Sequence, residues 1–413
     1  MKKTLLLLVA SVFAFGCSQK TETVDYILMT DGERLAAAKE IAQNTIMVDG
    51  HVDLPYRMKV GGFTLQREIL DVSVRTDGGN FDFPRSKEGG LDAPFMSIYI
   101  PTGYQDRGGA KALADSLILM TERLVTAWPD KFAMAYSPSD IEKNTVEGKI
   151  SFPMGMENGA ALESDLNNVK YFFDRGIRYI TLTHGTDNLI GDSSYDTTRT
   201  YGGLSEYGVQ VVKEMNKVGI MVDISHVSDD TFYDVMKVTQ VPVIASHSSV
   251  RYFTPGFERN MDDEMIKALG KNGGVIMINF GGSFIDGEYN ERSGTAREHL
   301  VNWLAENGLS RTDSPAVAYI EKYSAENNPF PNVSKVADHI DLVVALVGID
   351  HVGFGSDFDG VGDSLPTGLK DVSMYPNLIA ELLKRGYSKE EVEKICYKNI
   401  FRVWNAVIAA SGK

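Results

Sequence analysis

Short apolar stretches recur along the chain, and each is followed by a more polar segment. Eight of them are predicted to be strands, at residues 45–48, 97–100, 150–156, 179–182, 220–224, 241–245, 275–278 and 352–354. Apolar residues at helical spacing predict helices at 34–44, 204–218, 229–238 and 262–269. Continuous apolar strands that alternate with helices indicate a parallel sheet covered on both faces.

Eight such units favour an α/β fold of the closed (β/α)8 type, a TIM barrel. An open doubly wound sheet is the alternative, but no glycine-rich dinucleotide loop follows the first strand. The length allows one barrel with insertions or two smaller domains. We predict one catalytic domain at 41–413, preceded by a tether and leading helix at 17–40. Insertions are expected at 61–94, as a long loop over the barrel mouth, and at 285–331, as a partly helical segment.

The first residues have the pattern of a secretory signal peptide, predicted at 1–16. Lys2 and Lys3 precede an apolar run at 5–15 that is too short for a permanent membrane span. The segment ending at Cys17 resembles a bacterial lipobox, although Ala14 stands where leucine is usual. We therefore expect export and a lipid anchor on Cys17 in a bacterial membrane facing the periplasm or exterior, with plain secretion as the alternative. Cys396 then has no partner, and no internal disulfide is expected.

Charge excludes one class of partner. The chain has 56 acidic and 41 basic residues among 413, and its formal net charge is −15. Such a chain repels a phosphate backbone, so nucleic acid is not expected to bind. The acidic excess does not select a substrate.

Ionisable side chains gather where the predicted strands end. Seven of them occupy such positions: His51, Asp53, Glu157, His184, His226, His247 and Asp357. The strand ends of a (β/α)8 barrel converge on one face, and that face carries the active site. These residues are therefore expected to lie together.

Five of the seven have the composition of a two-metal site. Each alone has a plainer explanation, since Glu157 could cap a helix and a histidine is often a buried structural residue. Together, imidazoles and carboxylates suit zinc and its neighbours. Two cations about 3.5–4 Å apart need a carboxylate between them, and Glu157 is placed to supply it. The predicted ligands are His51, Asp53, Glu157, His226 and His247. The remaining histidines are expected to be structural or surface residues: His299, His339 and His351.

An ordered set of motifs extends this pattern along the chain. They are VDGHVDLP at 48–55, GMENG at 155–159, YITLTH at 179–184, DISHVS at 223–228, SHSS at 246–249, RNM at 259–261, GGVIMINF at 273–280, GSDFDG at 355–360 and YP at 375–376. From about residue 45 to the C-terminus the chain resembles the membrane dipeptidase (renal dipeptidase) family of zinc peptidases, peptidase family M19.

The resemblance implies a metal-dependent hydrolase on an amidohydrolase-like TIM barrel, with two Zn²⁺ ions per chain. It also implies hydrolysis of dipeptides, including those with a C-terminal D-residue, by a hydroxide bridging the zinc ions. His51 and Asp53 would hold one zinc ion, His226 and His247 the other, and Glu157 would bridge them.

The resemblance also implies the roles of the remaining site residues. His184 would lie beside the scissile carbonyl and Arg259 would bind the substrate carboxylate. Asp357 would handle the proton and the substrate amine. A homodimer is expected because family members often dimerise. Gly281 stands where a relative has a tyrosine, and the insertion after residue 285 is longer, so substrate preference is expected to differ.

Two other functions remain open. Other binuclear amide or lactone hydrolases use the same barrel, but they often bridge their metals with a modified lysine after the fourth strand, where this chain has Thr183 and His184. A non-catalytic surface lipoprotein that binds peptides is the alternative of another class. It would be expected to have lost ligands, whereas all five are present here.

Overall fold

A closed barrel of parallel strands forms the centre of the computed structural model, which describes residues 24–61 and 70–412. The strands are β1 (Val48–Val52), β2 (Ala93–Tyr99), β3 (Phe132–Met134), β4 (Ile150–Phe152), β5 (Met154–Glu157), β6 (Ile177–Thr181), β7 (Met221–Asp223), β8 (Ile244–Ser248), β9 (Val275–Ile278) and β10 (Val352–Phe354). The barrel order is β1-β10-β9-β8-β7-β6-β5-β2. The predicted (β/α)8 fold is thus confirmed, and the open sheet is excluded.

Two strands are displaced from their predicted positions for one physical reason, while β2, predicted at 97–100, begins earlier, at Ala93. The first strand was expected at 45–48 and the sixth at 241–245, but β1 and β8 begin and end about three residues later. Both strands continue through polar residues that face the barrel mouth, among them His51 and His247, and these polar residues interrupt the apolar pattern.

The third predicted strand, at 150–156, is two strands. Pro153 separates β4 from β5, and only β5 belongs to the barrel. β4 pairs with β3 in a separate two-stranded parallel sheet, which the sequence did not predict. Proline lacks the N–H that a central strand requires, so the break falls at this residue.

Helices surround the barrel. They are α1 (Asp31–Asn44), α2 (Leu54–Val60), α3 (Phe83–Gly89), α4 (Gly103–Arg107), α5 (Ala110–Ala127), α6 (Pro138–Val146), α7 (Asn167–Asp174), α8 (Glu206–Val218), α9 (Asp229–Val238), α10 (Asp263–Asn272), α11 (Gly282–Ile285), α12 (Gly287–Asn307), α13 (Ser314–Asn327), α14 (Val333–Val347), α15 (Tyr375–Lys384), α16 (Lys389–Glu393) and α17 (Asn399–Ala410). Side chains of Ser205, Ser228 and Asp262 cap the first turns of α8, α9 and α10. The four helices predicted from periodicity are confirmed. Within the described ranges, no helix is both long and apolar enough to traverse a bilayer.

The two predicted insertions have different structures. The segment 285–331 contains α12 and α13, which are held together by the stacked rings of Trp303 and Tyr319, 3.9 Å apart. In the segment 61–94, the expectation of a continuous loop is wrong for its last part, because α3 and the start of β2 lie there. The predicted signal peptide and Cys17 lie outside the described residues. Cys396 is buried and free.

Candidate active site

The predicted metal ligands converge around one carboxylate at the carboxyl ends of the strands. Glu157 ends β5 and is 4% exposed. Its Oε2 lies 3.3 Å from His51 Nε2, and its Oε1 lies 3.1 Å from His226 Nε2 and 3.3 Å from His247 Nε2. Asp53 completes the set, with 3.4 Å between its Oδ2 and His51 Nε2. All five side chains are buried.

Among the described residues, the five ligands together with His184 and Asp357 form three groups able to hold a metal ion, each with its donor atoms within 4.8 Å of one another. Two of the groups share Glu157, and the third contains Asp357. The groups are His51–Glu157–His247, Glu157–His184–His226 and His51–Asp53–Asp357. Several buried donor atoms have no hydrogen-bond partner among the described residues, including His51 Nε2 and Asp53 Oδ1. Buried polar atoms are normally satisfied, so these atoms fit a site built to bind cations.

Electrostatics favour the metal-binding forms of Glu157, His226 and His247. Burial lowers the pKa of His51, but Tyr179, Glu157 and Asp53 outweigh burial and hold that pKa well above its ordinary value. Burial alone would raise the pKa of Glu157, but the neighbouring His51, His184, His226 and His247 hold it well below its ordinary value. Burial lowers the pKa of His226 and of His247 well below the ordinary value for histidine. A carboxylate and neutral imidazoles are the forms that ligate metals.

Turns in the left-handed backbone region place two of the site residues. His226 has a φ of 68° and Asp357 a φ of 62°. Residues other than glycine seldom adopt this region, and such backbone strain concentrates at functional sites. Each turn comes within a few residues of a short strand, β7 or β10, so the strained residue is held at the barrel mouth.

The predicted catalytic groups lie beside the cluster. His184 Nε2 is 3.6 Å from Glu157 Oε1, and its ring packs 4.7 Å from that of Tyr99. Asp357 is buried, and its Oδ2 accepts a hydrogen bond of 2.8 Å from Asn279 Nδ2. Burial raises the pKa of Asp357 to about 7, with His51 opposing that rise. A carboxyl with such a pKa can both accept and return a proton near neutral pH.

Arg259 is a buried cation whose hydrogen-bond partners are neutral. It is 3% exposed, and it donates from Nη1 to Ser248 Oγ at 2.7 Å and from Nη2 to the His247 carbonyl oxygen at 2.8 Å. Its Nε has no partner among the described residues. The guanidinium lies 5.4 Å from the ring centre of Phe284. Arg259 is thus not a surface ion pair, and it retains donor capacity for an anion.

A cavity of about 770 Å³ opens over the cluster. Glu157, His184, His226 and Asp357 line it, and so does Phe284, whose ring centre lies 5.4 Å from the guanidinium of the buried Arg259. Aromatic side chains that the sequence did not single out also line the cavity: Tyr56, Tyr99, Tyr195 and Phe284. Helical and strand periodicity gives no signal for these residues, because they lie on loops or at element ends. Asn279 directly follows β9, and this position at a strand end could have identified it as a site residue from the sequence.

The other histidines lie outside the three donor groups. His339 accepts a hydrogen bond from the Val250 N–H at Nδ1 and faces the Ile285 carbonyl with Nε2. His351 contacts the Gly274 carbonyl before β10, and His299 contacts the Tyr319 hydroxyl. Each has a structural partner, as the sequence predicted.

Comparison with known proteins agrees with this geometry. The sequence profile of the membrane dipeptidase family (peptidase family M19) matches residues 35–413. The chain is 33% identical over 393 residues to dipeptidase verJ of Clonostachys rogersoniana, covering 92% of this chain and 89% of that protein.

Solved structures give the same result at the level of the fold. The probable dipeptidase PvdM of Pseudomonas aeruginosa has a TM-score of 0.75 at 26% identity, covering 92% of this chain and 99% of that one. A metallopeptidase of Rhodobacter sphaeroides, solved with a phosphinate mimic of L-Ala-D-Ala, has a TM-score of 0.71 at 23% identity, covering 88% and 99%. The chain therefore belongs to the membrane dipeptidase family, peptidase family M19, and is a metallo-dipeptidase.

Proposed function

We propose that this dipeptidase uses two zinc ions per chain. His51 and Asp53 would hold one ion, His226 and His247 the other, and Glu157 both. The supporting observation is the position of Glu157, whose two carboxylate oxygens face different histidines at 3.1–3.3 Å. Zinc suits this mixture of imidazole and carboxylate donors. When bound, the two ions supply Lewis acidity that makes water a nucleophile near neutral pH and polarises the peptide carbonyl.

Arg259 would bind the substrate carboxylate. A buried charge is costly without a partner of opposite sign, and the hydrogen-bond partners of this guanidinium are a hydroxyl and a carbonyl. The α-carboxylate of a dipeptide supplies the missing anion through charge-assisted hydrogen bonds. Asp357 would bind the amine at the other end of the substrate. Recognition of both ends restricts the substrate to two residues, because a longer peptide cannot place its two termini at this separation.

Asp357 and His184 would carry the remaining chemistry. Asp357 accepts the proton of the attacking water and returns it to the leaving amine, and the hydrogen bond from Asn279 keeps its carboxylate oriented. His184 lines the cavity beside Glu157, where it would stabilise the negative charge that develops on the carbonyl oxygen.

The substrates would include dipeptides with a C-terminal D-residue. Support comes from the Rhodobacter sphaeroides relative, whose bound ligand mimics L-Ala-D-Ala. A Cβ added at Gly281 would come within 2.9 Å of both Phe284 and Val361. These two side chains, rather than a side chain at 281, therefore form this part of the cavity wall, and they would set preference among substrates.

Hydrolysis of a small panel tests the proposal: L-Ala-L-Ala, L-Ala-D-Ala, a dipeptide with a bulky first residue, and tri-alanine, each with zinc-loaded and chelated enzyme. We expect chelator-sensitive cleavage of the dipeptides and no cleavage of tri-alanine. Tripeptide cleavage would contradict recognition of both ends. Absence of any cleavage by enzyme with two bound zinc ions would favour another amide or a lactone as substrate. Metal analysis of enzyme purified without added metal distinguishes zinc from manganese or cobalt.

We also propose export, lipidation of Cys17 and a homodimer, supported by the N-terminal sequence pattern and the family resemblance. Mass spectrometry of the mature N-terminus and membrane fractionation test the anchor, with Cys17→Ala as the control. Light scattering of the purified protein tests the dimer. A soluble mature chain without lipid, or a monomeric mass, would contradict the respective proposal.

A further inference from the structure

Two buried hydroxyl groups contact histidines of the metal cluster on the side away from Glu157. The Tyr179 hydroxyl lies 2.9 Å from His51 Nδ1, and Ser246 Oγ lies 2.7 Å from His247 Nδ1. A neutral imidazole has one N–H and one lone pair, and the partner of one nitrogen determines the role of the other. These hydroxyls therefore determine whether Nδ1 of each ring carries the hydrogen. If it does, the lone pair is on Nε2, the nitrogen that faces the proposed metal position.

The Tyr179 hydroxyl has one proton, and that proton is engaged in another hydrogen bond. It is donated to the Gly50 carbonyl oxygen at 3.0 Å, and a carbonyl oxygen can only accept. Towards His51 the phenol oxygen must therefore accept, so His51 carries its hydrogen on Nδ1. Its lone pair is on Nε2, the atom that lies 3.3 Å from Glu157 Oε2.

Ser246 is constrained in the same way by a carboxylate. Its hydroxyl lies 2.6 Å from Asp223 Oδ2, and Asp223 also accepts from the backbone N–H groups of Ser225 and Ser246. A carboxylate only accepts, so Ser246 donates to Asp223 and accepts from His247 Nδ1–H. His247 Nε2 then carries the lone pair, and it lies 3.3 Å from Glu157 Oε1 and 3.0 Å from His226 Nε2.

The other two histidines of the cluster lack such a partner. Nδ1 of His184 and Nδ1 of His226 are buried and have no hydrogen-bond partner in the described part of the chain. The constraint therefore applies to one histidine at each proposed metal position, His51 at the first and His247 at the second.

We infer that Tyr179 and Ser246, with Asp223 behind Ser246, are positioning residues that hold His51 and His247 as Nδ1–H tautomers before metal binds. The inference rests on the proposed assignment of the metal ligands. Partners of this kind set ring orientation and ligand basicity, and their loss typically weakens metal binding about 10–100-fold.

The absence of a side chain at Gly155 leaves room for the Tyr179 ring inside the barrel. Gly155 pairs with Tyr179 across β5 and β6. A Cβ added at Gly155 would lie 1.9 Å from Tyr179 Cζ. The ring therefore covers the space that any side chain at 155 would occupy. Gly155→Ala displaces the hydroxyl from His51 without altering a hydrogen-bonding group, so it is a second way to remove the contact.

Nitrogen-15 NMR of the imidazole rings in metal-free protein reads the tautomers directly. The chain has seven histidines, so single substitutions assign the signals. Zinc affinity, measured by competition with a chromogenic chelator, is the second readout. The variants are Tyr179→Phe, Ser246→Ala and Gly155→Ala, with Ser246→Thr as the conservative replacement that keeps a hydroxyl. Two matched controls remove buried hydroxyls elsewhere: Tyr387→Phe, which loses a bond to Asp341, and Ser86→Ala, which loses a bond to the Asp82 carbonyl.

The wild type should show Nδ1–H at both His51 and His247. Tyr179→Phe and Gly155→Ala should change the His51 signals alone, and Ser246→Ala the His247 signals alone, each with a 10–100-fold loss of zinc affinity. Ser246→Thr and both controls should behave as wild type. An Nε2–H tautomer at either histidine of the wild type would overturn the inference, and this result needs no variant to fold. Unchanged zinc affinity in folded variants would overturn it as well. Neither readout depends on dipeptide hydrolysis, so a failure of the proposed substrate class is distinguishable.

Discussion

Asn279 donates a hydrogen bond from Nδ2 to Oδ2 of Asp357 across 2.8 Å, inside the barrel mouth. Its Oδ1 in turn accepts from the Gly281 N–H at 2.7 Å. The amide is therefore fixed at both ends, and it presents a donor to the carboxylate. A donor stabilises the charged form of a carboxyl, so Asn279 favours the state in which Asp357 can act as a base.

Replacement of Asp357 by Asn should reduce kcat strongly and leave the metal content unchanged. The amide keeps the size of the side chain but cannot accept a proton from water, and a positioned acid–base group contributes about 10²–10⁴-fold to rate. Steady-state kinetics with L-Ala-D-Ala and metal analysis of the same preparation check this. Wild-type turnover in this variant would remove Asp357 from the proton transfer.

Replacement of Asn279 by Ala should move the acidic limb of the kcat/KM profile to higher pH. The pKa of Asp357 is raised mainly by burial, and the hydrogen bond from Asn279 lowers it. Loss of that bond raises the pKa further, so a higher pH is needed to produce the carboxylate. Wild type and variant should be compared at the same zinc concentration over the same pH range. An unchanged limb would show that another group sets the acidic limb.

Replacement of Arg259 should act mainly on KM. Loss of a charge-assisted pair with the substrate carboxylate removes about 1.5–3 kcal/mol, which predicts an increase in KM of about ten- to a hundredfold for Arg259→Ala. Arg259→Lys is the matched variant, since it keeps the charge and loses the planar donor pair. An unchanged KM in Arg259→Ala would contradict the anchoring role, provided that circular dichroism shows a native fold.

Glu157→Gln should lower the number of bound zinc ions. The amide retains the shape of the side chain but cannot bridge two cations with a negative charge. We expect dialysed variant enzyme to retain at most one zinc ion per chain when wild type retains two. Atomic absorption measures the ratio, and full retention of both ions would assign the bridge to another group.

His339 should make the stability of the metal-free protein depend on pH. Burial lowers its pKa from 6.5 to about 4, and Nδ1 must stay unprotonated to accept the Val250 N–H. The unfolded chain binds a proton below about pH 6.5 whereas the folded chain does not bind one until about pH 4. Stability from this group is thus present above pH 6.5 and is lost as the pH falls to 4, by about 3 kcal/mol in all.

His339→Gln is the comparison for this effect, because its amide can accept from Val250 and donate to Ile285 without titrating. Urea unfolding of both proteins in chelator should show a steeper loss of stability for wild type between pH 6.5 and 4. Because the cluster histidines are common to both proteins, their contribution cancels in the difference. If the free energy of unfolding of the two proteins falls in parallel with pH, other groups cause the acid sensitivity.

The sequence identified the barrel because each strand contains an apolar run, but it misplaced the strand ends. The run in β1 stops where Asp49 and His51 begin, although the strand continues through both. Strand β3 is only three residues long and was missed. Such short strands carry too little periodicity to be recognised before the pairing partner is known.

The candidate site, like the fold, was predicted only in part from the sequence. Strand ends carrying His or carboxylate residues could be found by position, because parallel strands bring them together. Arg259 came only from the family resemblance, since it follows no strand directly. The roles of Tyr179 and Ser246 could not be predicted. A tyrosine or a serine within a strand gives no sequence signal of a contact with a ligand histidine, and only the folded structure places each hydroxyl beside a particular nitrogen.

The contact between Gly155 and Tyr179 imposes an order on sequence change in this barrel. A side chain at 155 would displace the ring, so it fits without strain only after residue 179 has become smaller. That first step removes the hydroxyl from His51, and if Tyr179 positions His51 as inferred, the intermediate sequence would bind metal less tightly. The constraint on residue 155 therefore comes from a neighbour on the adjacent strand. A designer transferring this metal centre to another barrel would have to transfer the empty position at 155 together with the ligands.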